Sequence, residues 1–110
     1  MKKKNRVKKA QEFQILIHQG QKVVCPSFVM YFLPKKEEEA RIGITLSKKI
    51  GNAVERNKIK RQVRMMCMES IDLVHYPFDL VFIVRHEYTS LRYFDNKNNL
   101  EKAVLKATIK

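Results

Sequence analysis

Apolar residues recur along the chain with two different periods, which predict both helices and strands. Phe13, Leu16 and Ile17 are spaced by three and four positions and make one apolar face, so they predict a first helix. Gly20 follows at the position where a helix C-terminal glycine is usual. Over residues 23–33 β-branched and aromatic side chains dominate, which predicts a strand.

This first strand is apolar on both faces, so both sides are expected to be covered, and Pro26 is expected to break it or to mark a bulge. A second strand is predicted after the charged turn at residues 34–39. Its inward side chains are expected to be Ile42, Ile44 and Leu46, and its outward ones Arg41, Gly43, Thr45 and Ser47.

The longest helix is predicted to begin after Asn52. Asn52 is a suitable N-cap, and Glu55 stands at the third helical position, from which its carboxylate reaches back to the cap. The helix is expected to run to about His75, because the residue before Pro77 is disfavoured in a helix.

The remaining sequence predicts a short central strand over residues 80–84, a turn at residues 88–90 and a last helix over about residues 92–108. The last helix is expected to pack against the core through Phe94, Leu100 and Val104. The element order is α-β-β-α-β-α, which predicts an α/β sandwich, an α+β arrangement of one sheet packed by helices.

Charge is the unusual feature of the composition. The chain has 110 residues, enough for one domain, with 23 Lys and Arg against 11 Asp and Glu and a net charge of +12. Such an excess predicts a polyanionic partner, first nucleic acid and second an anionic membrane surface. A membrane is the less favoured partner, because no apolar run approaches the ~20 residues that span a bilayer. We expect a cytoplasmic protein with two free thiols, Cys25 and Cys67.

The basic residues begin at the N-terminus. Residues 1–9 contain six cations and no acid, which predicts a basic arm that stays mobile until it meets an anion. Residues 10–110 are then expected to form a single RNA-binding domain.

One face of the long helix is also basic. Arg56, Lys60 and Arg64 follow one another at spacings of four, with Asn57 and Arg61 beside them. The adjacent arc, expected to be buried, contains Ile59, Val63 and Met66. Cations four apart repel each other, and cations near a helix N-terminus oppose the macrodipole. We therefore favour a face that tracks phosphates over a merely solvated one, although the same face also suits a DNA groove.

Aromatic residues extend this pattern. Phe13, with Val29 and Tyr31 on the strand, would form a groove that stacks single-stranded bases beside the basic helix. The competing interpretation is that Phe13 and Tyr31 simply belong to the core.

The segment from Ser47 to Arg64 resembles the signature of the bacterial ribonuclease P protein family, whose central helix has the pattern R-N-x-x-K-R-x-x-R. The N-terminal residues 5–9, the pair Glu12-Phe13 and residues 28–31 also resemble that family, so the similarity spans roughly residues 4–108. One departure is Lys58, which keeps the charge of the family's arginine but not its forked geometry.

The resemblance implies a fold and a function. The fold would be the ribosomal protein S5 domain 2-like sandwich with a left-handed β-α-β crossover, against the usual right-handed rule. The chain would bind the catalytic ribonuclease P RNA and the 5′ leader of precursor tRNA. The RNA with its Mg²⁺ ions would hydrolyse the substrate, so no protein residue would be catalytic and no protein-only metal site or small-molecule ligand is expected.

The resemblance also assigns residues to each partner. Those that would contact the RNA subunit are Arg56, Asn57, Lys58, Lys60, Arg61 and Arg64, with Lys48 and Lys49 ahead of the helix. Those that would line the leader cleft are Phe13, Ile17, Val29 and Tyr31, with Lys9 as a neighbouring cation.

Three alternatives remain open from the sequence. A general RNA-binding or ribosome-associated protein would use the same basic helix. A DNA-binding regulator would need a helix-turn-helix pair or a dimer seam, and neither is evident. A self-sufficient metal nuclease would need a cluster of ligands, but His18, His75 and His86 are scattered and the acids at residues 37–39 lie in a predicted solvated loop.

Overall fold

The computed structural model describes the backbone of residues 1–109 and the side chains of residues 1–107. The helices are α1 (Ala10–Gln19), α2 (Ala53–Ser70) and α3 (Tyr93–Ile109), and the strands are β1 (Gln21–Val24), β2 (Phe28–Pro34), β3 (Ile42–Thr45) and β4 (Phe78–Val84). Short 3-10 helices occupy Lys3–Asn5, Lys48–Ile50 and His86–Ser90. The predicted mixture of one sheet with helices is confirmed.

The four strands form one sheet in the order β1-β2-β4-β3. The β1–β2 and β2–β4 pairs are antiparallel, whereas β3 and β4 are parallel. Because α2 lies between β3 and β4 in the chain, these three elements form the predicted β-α-β unit. The left-handed crossing of that unit remains a prediction.

The single strand predicted over residues 23–33 is wrong, because the chain folds there into a β1–β2 hairpin. Val24 pairs with Val29, and the Cys25 amide donates to the Phe28 carbonyl at 2.9 Å. Ser27 holds the turn in place, since its buried hydroxyl donates to the Asn96 side chain at 2.6 Å. Pro26 therefore marks a chain reversal.

The sheet has a core on each face. Alternate residues of β2 point to opposite sides, so Phe28, Met30 and Phe32 enter the main core with α2 and α3. The other face carries a smaller cluster under α1, built on Val7, Leu16 and Val81 with half-buried neighbours that include Tyr31 and Leu33. The predicted buried arc of α2, namely Ile59, Val63 and Met66, is confirmed.

Two expectations about helices are corrected. α2 ends at Ser70, not near His75, because Ile71 turns into the core and the Asp72 carboxylate accepts the Val74 amide at 3.1 Å in a tight turn. On α3, Leu100 and Val104 are buried as expected, but Phe94 is 74% exposed. Tyr93 packs against the core in its place.

The N-terminal segment, expected to be mobile, is packed along the outer edge of β3. Arg6 makes a parallel bridge with Ile42, and the Val7 amide donates to the Ile42 carbonyl at 3.0 Å. Asn5 is buried and donates to the Ala40 carbonyl at 3.0 Å. Covering the edge strand satisfies backbone groups that would otherwise face solvent, which explains why this basic segment is held.

Candidate nucleic-acid interface

The start of α2 is fixed by local hydrogen bonds. The Asn52 side chain accepts the Glu55 amide at 2.9 Å, and the Asn52 amide donates to the Glu55 carboxylate at 3.3 Å, so the predicted capping box is confirmed. Just before it, the Ser47 hydroxyl accepts the Lys49 amide at 3.0 Å. Lys48 and Lys49 are exposed in this short 3-10 turn, so they extend the positive surface beyond the helix.

The basic face of α2, defined by Arg56, Asn57, Lys58, Lys60, Arg61 and Arg64, is not uniformly exposed. Asn57, Lys58 and Arg61 are exposed, whereas Arg56, Lys60 and Arg64 are half-buried. Arg56 also donates to the Gly51 carbonyl at 2.7 Å, which fixes its side chain over the helix start. Arg56 and Arg64 are therefore partly shielded from solvent, because the stacked row lies at the border of the buried arc.

Lys60 lies at a second surface as well. A groove of about 400 Å³ opens between α1 and β3, and Lys60 of α2 forms one of its walls. The residues that line this α1–β3 groove are Ala10, Phe13, Gln14, Ile17, Ile44, Thr45 and Lys60. The groove therefore combines an aromatic ring, apolar side chains and a cation, the combination that holds single-stranded nucleic acid.

Gly43 shapes this groove. It was expected to face outward, but it is buried beneath Phe13, whose ring lies 2.7 Å from the position that a Cβ on Gly43 would occupy. Any side chain there would displace the ring. The glycine thus lets α1 approach the sheet closely and holds Phe13 half-buried, with part of the ring facing the groove.

The other predicted cleft residues lie on the same face of the sheet but not in the α1–β3 groove. Tyr31 packs in the cluster under α1 opposite Val81, and Val29 is half-buried opposite Ile83. Lys9 is the N-cap of α1 and lines a different cavity of about 500 Å³. The structure thus brings together Phe13 and Ile17 of the predicted set, with Val29 and Tyr31 beside them and Lys9 apart.

The cavity at Lys9 contains most of the charge of the N-terminal segment. It is lined by Lys3, Lys4, Arg6, Lys8, Lys9 and Arg41, with the acids Glu12, Glu37, Glu38 and Glu39. Two of these acids are held by cations. Glu39 pairs with Lys4 at 2.7 Å, and the pKa of its carboxyl is lowered mainly by that hydrogen bond. Glu12 accepts from Arg41, whose hydrogen bond likewise lowers the pKa of Glu12.

Within residues 1–109, no three His, Cys, Asp or Glu side chains are arranged so that they could hold a metal ion. Of the four acids that line the basic cavity, Glu12 and Glu39 are already paired with cations. No helix in the described part of the chain has the length and apolar character needed to cross a membrane.

Sequence comparison gives one family. The family model described as Ribonuclease P matches residues 1–108. The ribonuclease P protein component of Bacillus mycoides (strain KBAB4) is 45% identical over 101 residues, which cover 91% of this chain and 88% of that protein. The corresponding protein of Bacillus velezensis is 38% identical over 110 residues, covering 99% and 94%.

Solved structures agree with the sequence matches. A Staphylococcus aureus RNase P protein mutant with defective mRNA degradation activity has a TM-score of 0.86 and 35% identity, covering 96% of this chain and 90% of that one. The RNase P protein of Thermotoga maritima has a TM-score of 0.78 and 25% identity, covering 92% and 96%.

Proposed function

The chain belongs to the ribonuclease P protein family, and from this premise we propose how its surfaces divide the binding of RNA. It is the protein subunit of ribonuclease P, an RNA-based endoribonuclease of tRNA processing. In our proposal the basic face of α2, with Lys48 and Lys49, binds the catalytic RNA. The α1–β3 groove, together with Val29 and Tyr31 beside it, binds the single-stranded 5′ leader of precursor tRNA.

One observation gives the strongest support to this assignment of the two RNAs to two adjoining surfaces. Lys60 belongs to the basic face of α2 and also lines the groove that contains Phe13. A leader in the groove would stack a base on Phe13 while Lys60 neutralises a nearby phosphate. The same cation would lie at the border with the RNA subunit, so the substrate would enter beside the RNA that cleaves it.

The chemistry is assigned to the RNA subunit. Mg²⁺, which we place with that RNA, would supply the charge stabilisation of phosphodiester hydrolysis. The protein's own contribution is binding: arginines offer a planar fork to phosphate, and lysines offer point charges. By neutralising phosphates of both RNAs, the protein is expected to raise the affinity for precursor tRNA and to lower the magnesium requirement.

Residues 1–9 take part in this proposal as a basic segment that joins the single RNA-binding domain of residues 10–110. Lys9 and the cations before it would add contacts to RNA phosphates along the cavity that they line. Lys110, the last residue of the proposed domain, lies outside the described residues. The expected cytoplasmic location also remains a prediction.

Reconstitution tests the function. The purified chain is mixed with a bacterial ribonuclease P RNA and a leader-labelled precursor tRNA at low magnesium, beside the chain alone and the RNA alone. Cleavage at the mature 5′ end only in the mixture supports the proposal. Cleavage by the chain alone would favour a metal nuclease. Binding to many RNAs without any rescue of cleavage would favour a general RNA-binding protein.

A further inference from the structure

The acidic residues of this basic protein are concentrated at one place. Only 11 of the 110 residues are Asp or Glu, and four of these line the basic cavity of about 500 Å³ beside the N-terminal segment. Three of the four are consecutive, at residues 37–39 between β2 and β3, and we call them the acidic loop. The cavity has six cations against four carboxylates, so its net charge is +2 instead of the +6 that its cations alone would give.

Glu39 holds the N-terminal segment with both of its carboxylate oxygens. One oxygen accepts from the Lys4 ammonium at 2.7 Å, and the other accepts from the Asn5 side-chain amide at 3.2 Å. Asn5 is buried and also donates to the Ala40 carbonyl at 3.0 Å. The loop and the segment are therefore joined through two successive residues on each side, which makes this a defined contact.

The charges of the cavity reinforce this contact. The pKa of Lys4 is raised first by its hydrogen bond to Glu39, and the negative charge of Glu38 raises it further. The pKa of the Glu39 carboxyl is lowered mainly by the hydrogen bond from Lys4, and the positive charge of Lys2 adds to this effect. Each partner thus favours the charged form of the other. An RNA phosphate would be attracted to the same cations, because it also carries a negative charge.

An RNA phosphate and the acidic loop therefore compete for the cations of the N-terminal segment. We propose that the acidic loop is an autoinhibitory lid, which holds this segment in the free protein and releases it when RNA binds. This inference rests on the proposed function, which assigns RNA contacts to residues 1–9. RNA that is already bound to the basic face of α2 presents phosphates to the cavity at a high local concentration, so it displaces the loop. RNA that meets the segment alone is repelled by the like charge of the loop.

A double-mutant cycle tests the lid at its closest contact. Glu39→Gln removes the negative charge but keeps an oxygen that accepts from Asn5, so the segment should stay in place along β3. We expect Glu39→Gln to raise the affinity for the catalytic RNA by about two- to fivefold, the effect of one exposed ion pair. In the Lys4→Gln background the rise should be much smaller, because the cation that Glu39 holds is then absent. Equal rises in both backgrounds would overturn the proposal.

Charge-matched variants separate the lid from net charge. Glu38→Gln/Glu39→Gln and Glu87→Gln/Asp95→Asn each raise the net charge by two, and Glu87 and Asp95 are exposed acids outside the cavity. The first variant should bind the catalytic RNA about three- to tenfold more tightly than the wild type. The second should gain about twofold or less, because salt screens distant charges. Equal gains would show that the acids act through net charge alone and would exclude the lid.

The contact is also tested in the free protein without any RNA. Only the neutral form of an amine reacts with an acetylating reagent, and the hydrogen bond to Glu39 favours the charged form of Lys4. Lys4 should therefore be acetylated more slowly than Lys3, an exposed neighbour, and Glu39→Gln should remove the difference. Mass spectrometry measures both rates. Equal rates for the two lysines in the wild type would show that the lid is not closed.

These outcomes are distinct from failure of the proposed function. If the wild type does not assist cleavage by the catalytic RNA, the function is wrong whatever the acidic loop does. If the wild type assists cleavage but Glu38→Gln/Glu39→Gln binds the catalytic RNA no more tightly, only the lid is excluded.

Discussion

Lys60 of α2 and Phe13 of α1 line the same groove, although the two helices pack on opposite faces of the sheet. The contact is possible because β3 lies at the sheet edge, where a long side chain from α2 reaches past the strand. Gly43 on β3 lets Phe13 lie close to the strand from the other side. The surface proposed for the RNA subunit is therefore continuous with the surface proposed for the leader.

Lys60→Gln is expected to weaken both kinds of binding. The variant removes a cation shared by the basic face and the α1–β3 groove, so affinity for the catalytic RNA and the leader-dependent part of precursor affinity should each fall. The measurement is the dissociation constant for the RNA subunit, together with the ratio of precursor affinities with and without the leader.

Lys58→Gln is the matched control for Lys60→Gln. Lys58 is an exposed lysine two positions earlier and lines a different cavity, beside Tyr88 and Asn96. This variant should weaken binding to the RNA subunit. It should leave unchanged the ratio of precursor affinities with and without the leader, here called the leader ratio. If Lys58→Gln lowers the leader ratio as much as Lys60→Gln does, the groove is not the leader site.

Phe13→Leu is expected to lose leader binding while the domain stays folded. Leucine still covers Gly43 with an apolar side chain but has no ring for a base to stack on. Stacking of a base on an aromatic ring is worth about 1–3 kcal/mol, so the leader ratio should fall by about five- to hundredfold. Ile17→Leu, which changes a neighbouring groove residue without removing a ring, is the control. An unchanged ratio in Phe13→Leu would show that Phe13 acts only in packing.

Features that depend on a few neighbouring residues were predicted correctly from the sequence. The capping box of Asn52 and Glu55 is an example, because both partners lie within one turn. The buried arc of α2 was predicted from its helical period, because the period places the apolar side chains on the one face that is buried. The family motif was read from contiguous residues as well.

Features set by distant contacts were not predictable in the same way. The β1–β2 turn depends on the bond from Ser27 to Asn96, which is distant in the chain. Arg6 was counted as one charge of a mobile arm, since nothing near it in sequence indicates the bridge to Ile42. Lys60 was assigned to the RNA subunit alone, because its place in the groove depends on how three elements meet.

Phe94 and Leu100 provide a direct test of the corrected packing of α3. Phe94 is 74% exposed and Leu100 is fully buried, although both are large apolar residues of one helix. Leu100→Ala should lower the free energy of unfolding by about 2–5 kcal/mol through lost burial and a cavity. Phe94→Ala should change it by about 0.5 kcal/mol or less. Urea unfolding of the two variants measures both changes in the free energy of unfolding. A large loss for Phe94→Ala would show that the Phe94 ring is packed in the core.

Glu12 of α1 and Arg41, just before β3, form an ion pair that links the helix to the sheet. Acid should weaken this ion pair. The hydrogen bond from Arg41 lowers the pKa of Glu12 below its ordinary value of 4.5. A lowered pKa means that this stabilisation is complete above the ordinary value and is lost as pH falls through the value in the folded protein. Glu12→Gln should therefore cost about 1 kcal/mol at neutral pH, and the cost should shrink below about pH 4.

The comparison variant for Glu12→Gln is Glu38→Gln, which removes an exposed acid of the neighbouring loop. The free energy of unfolding of Glu38→Gln should equal that of the wild type at every pH, including the range in which acid lowers it. A constant difference between Glu12→Gln and the wild type from pH 7 to pH 3 would show that the Arg41 bond does not depend on the charge of Glu12.

Salt should weaken binding to the catalytic RNA steeply if the basic face contacts phosphates. Neutralising about six phosphates predicts a slope of about −4 to −5 when log affinity is plotted against log salt concentration. Replacing the exposed Arg61 by Gln should make the slope shallower by about 0.7–0.9, the effect of one phosphate. Lys102→Gln, an exposed cation of α3 outside the proposed surfaces, should leave the slope unchanged. A slope near zero in the wild type would exclude phosphate contacts as the source of affinity.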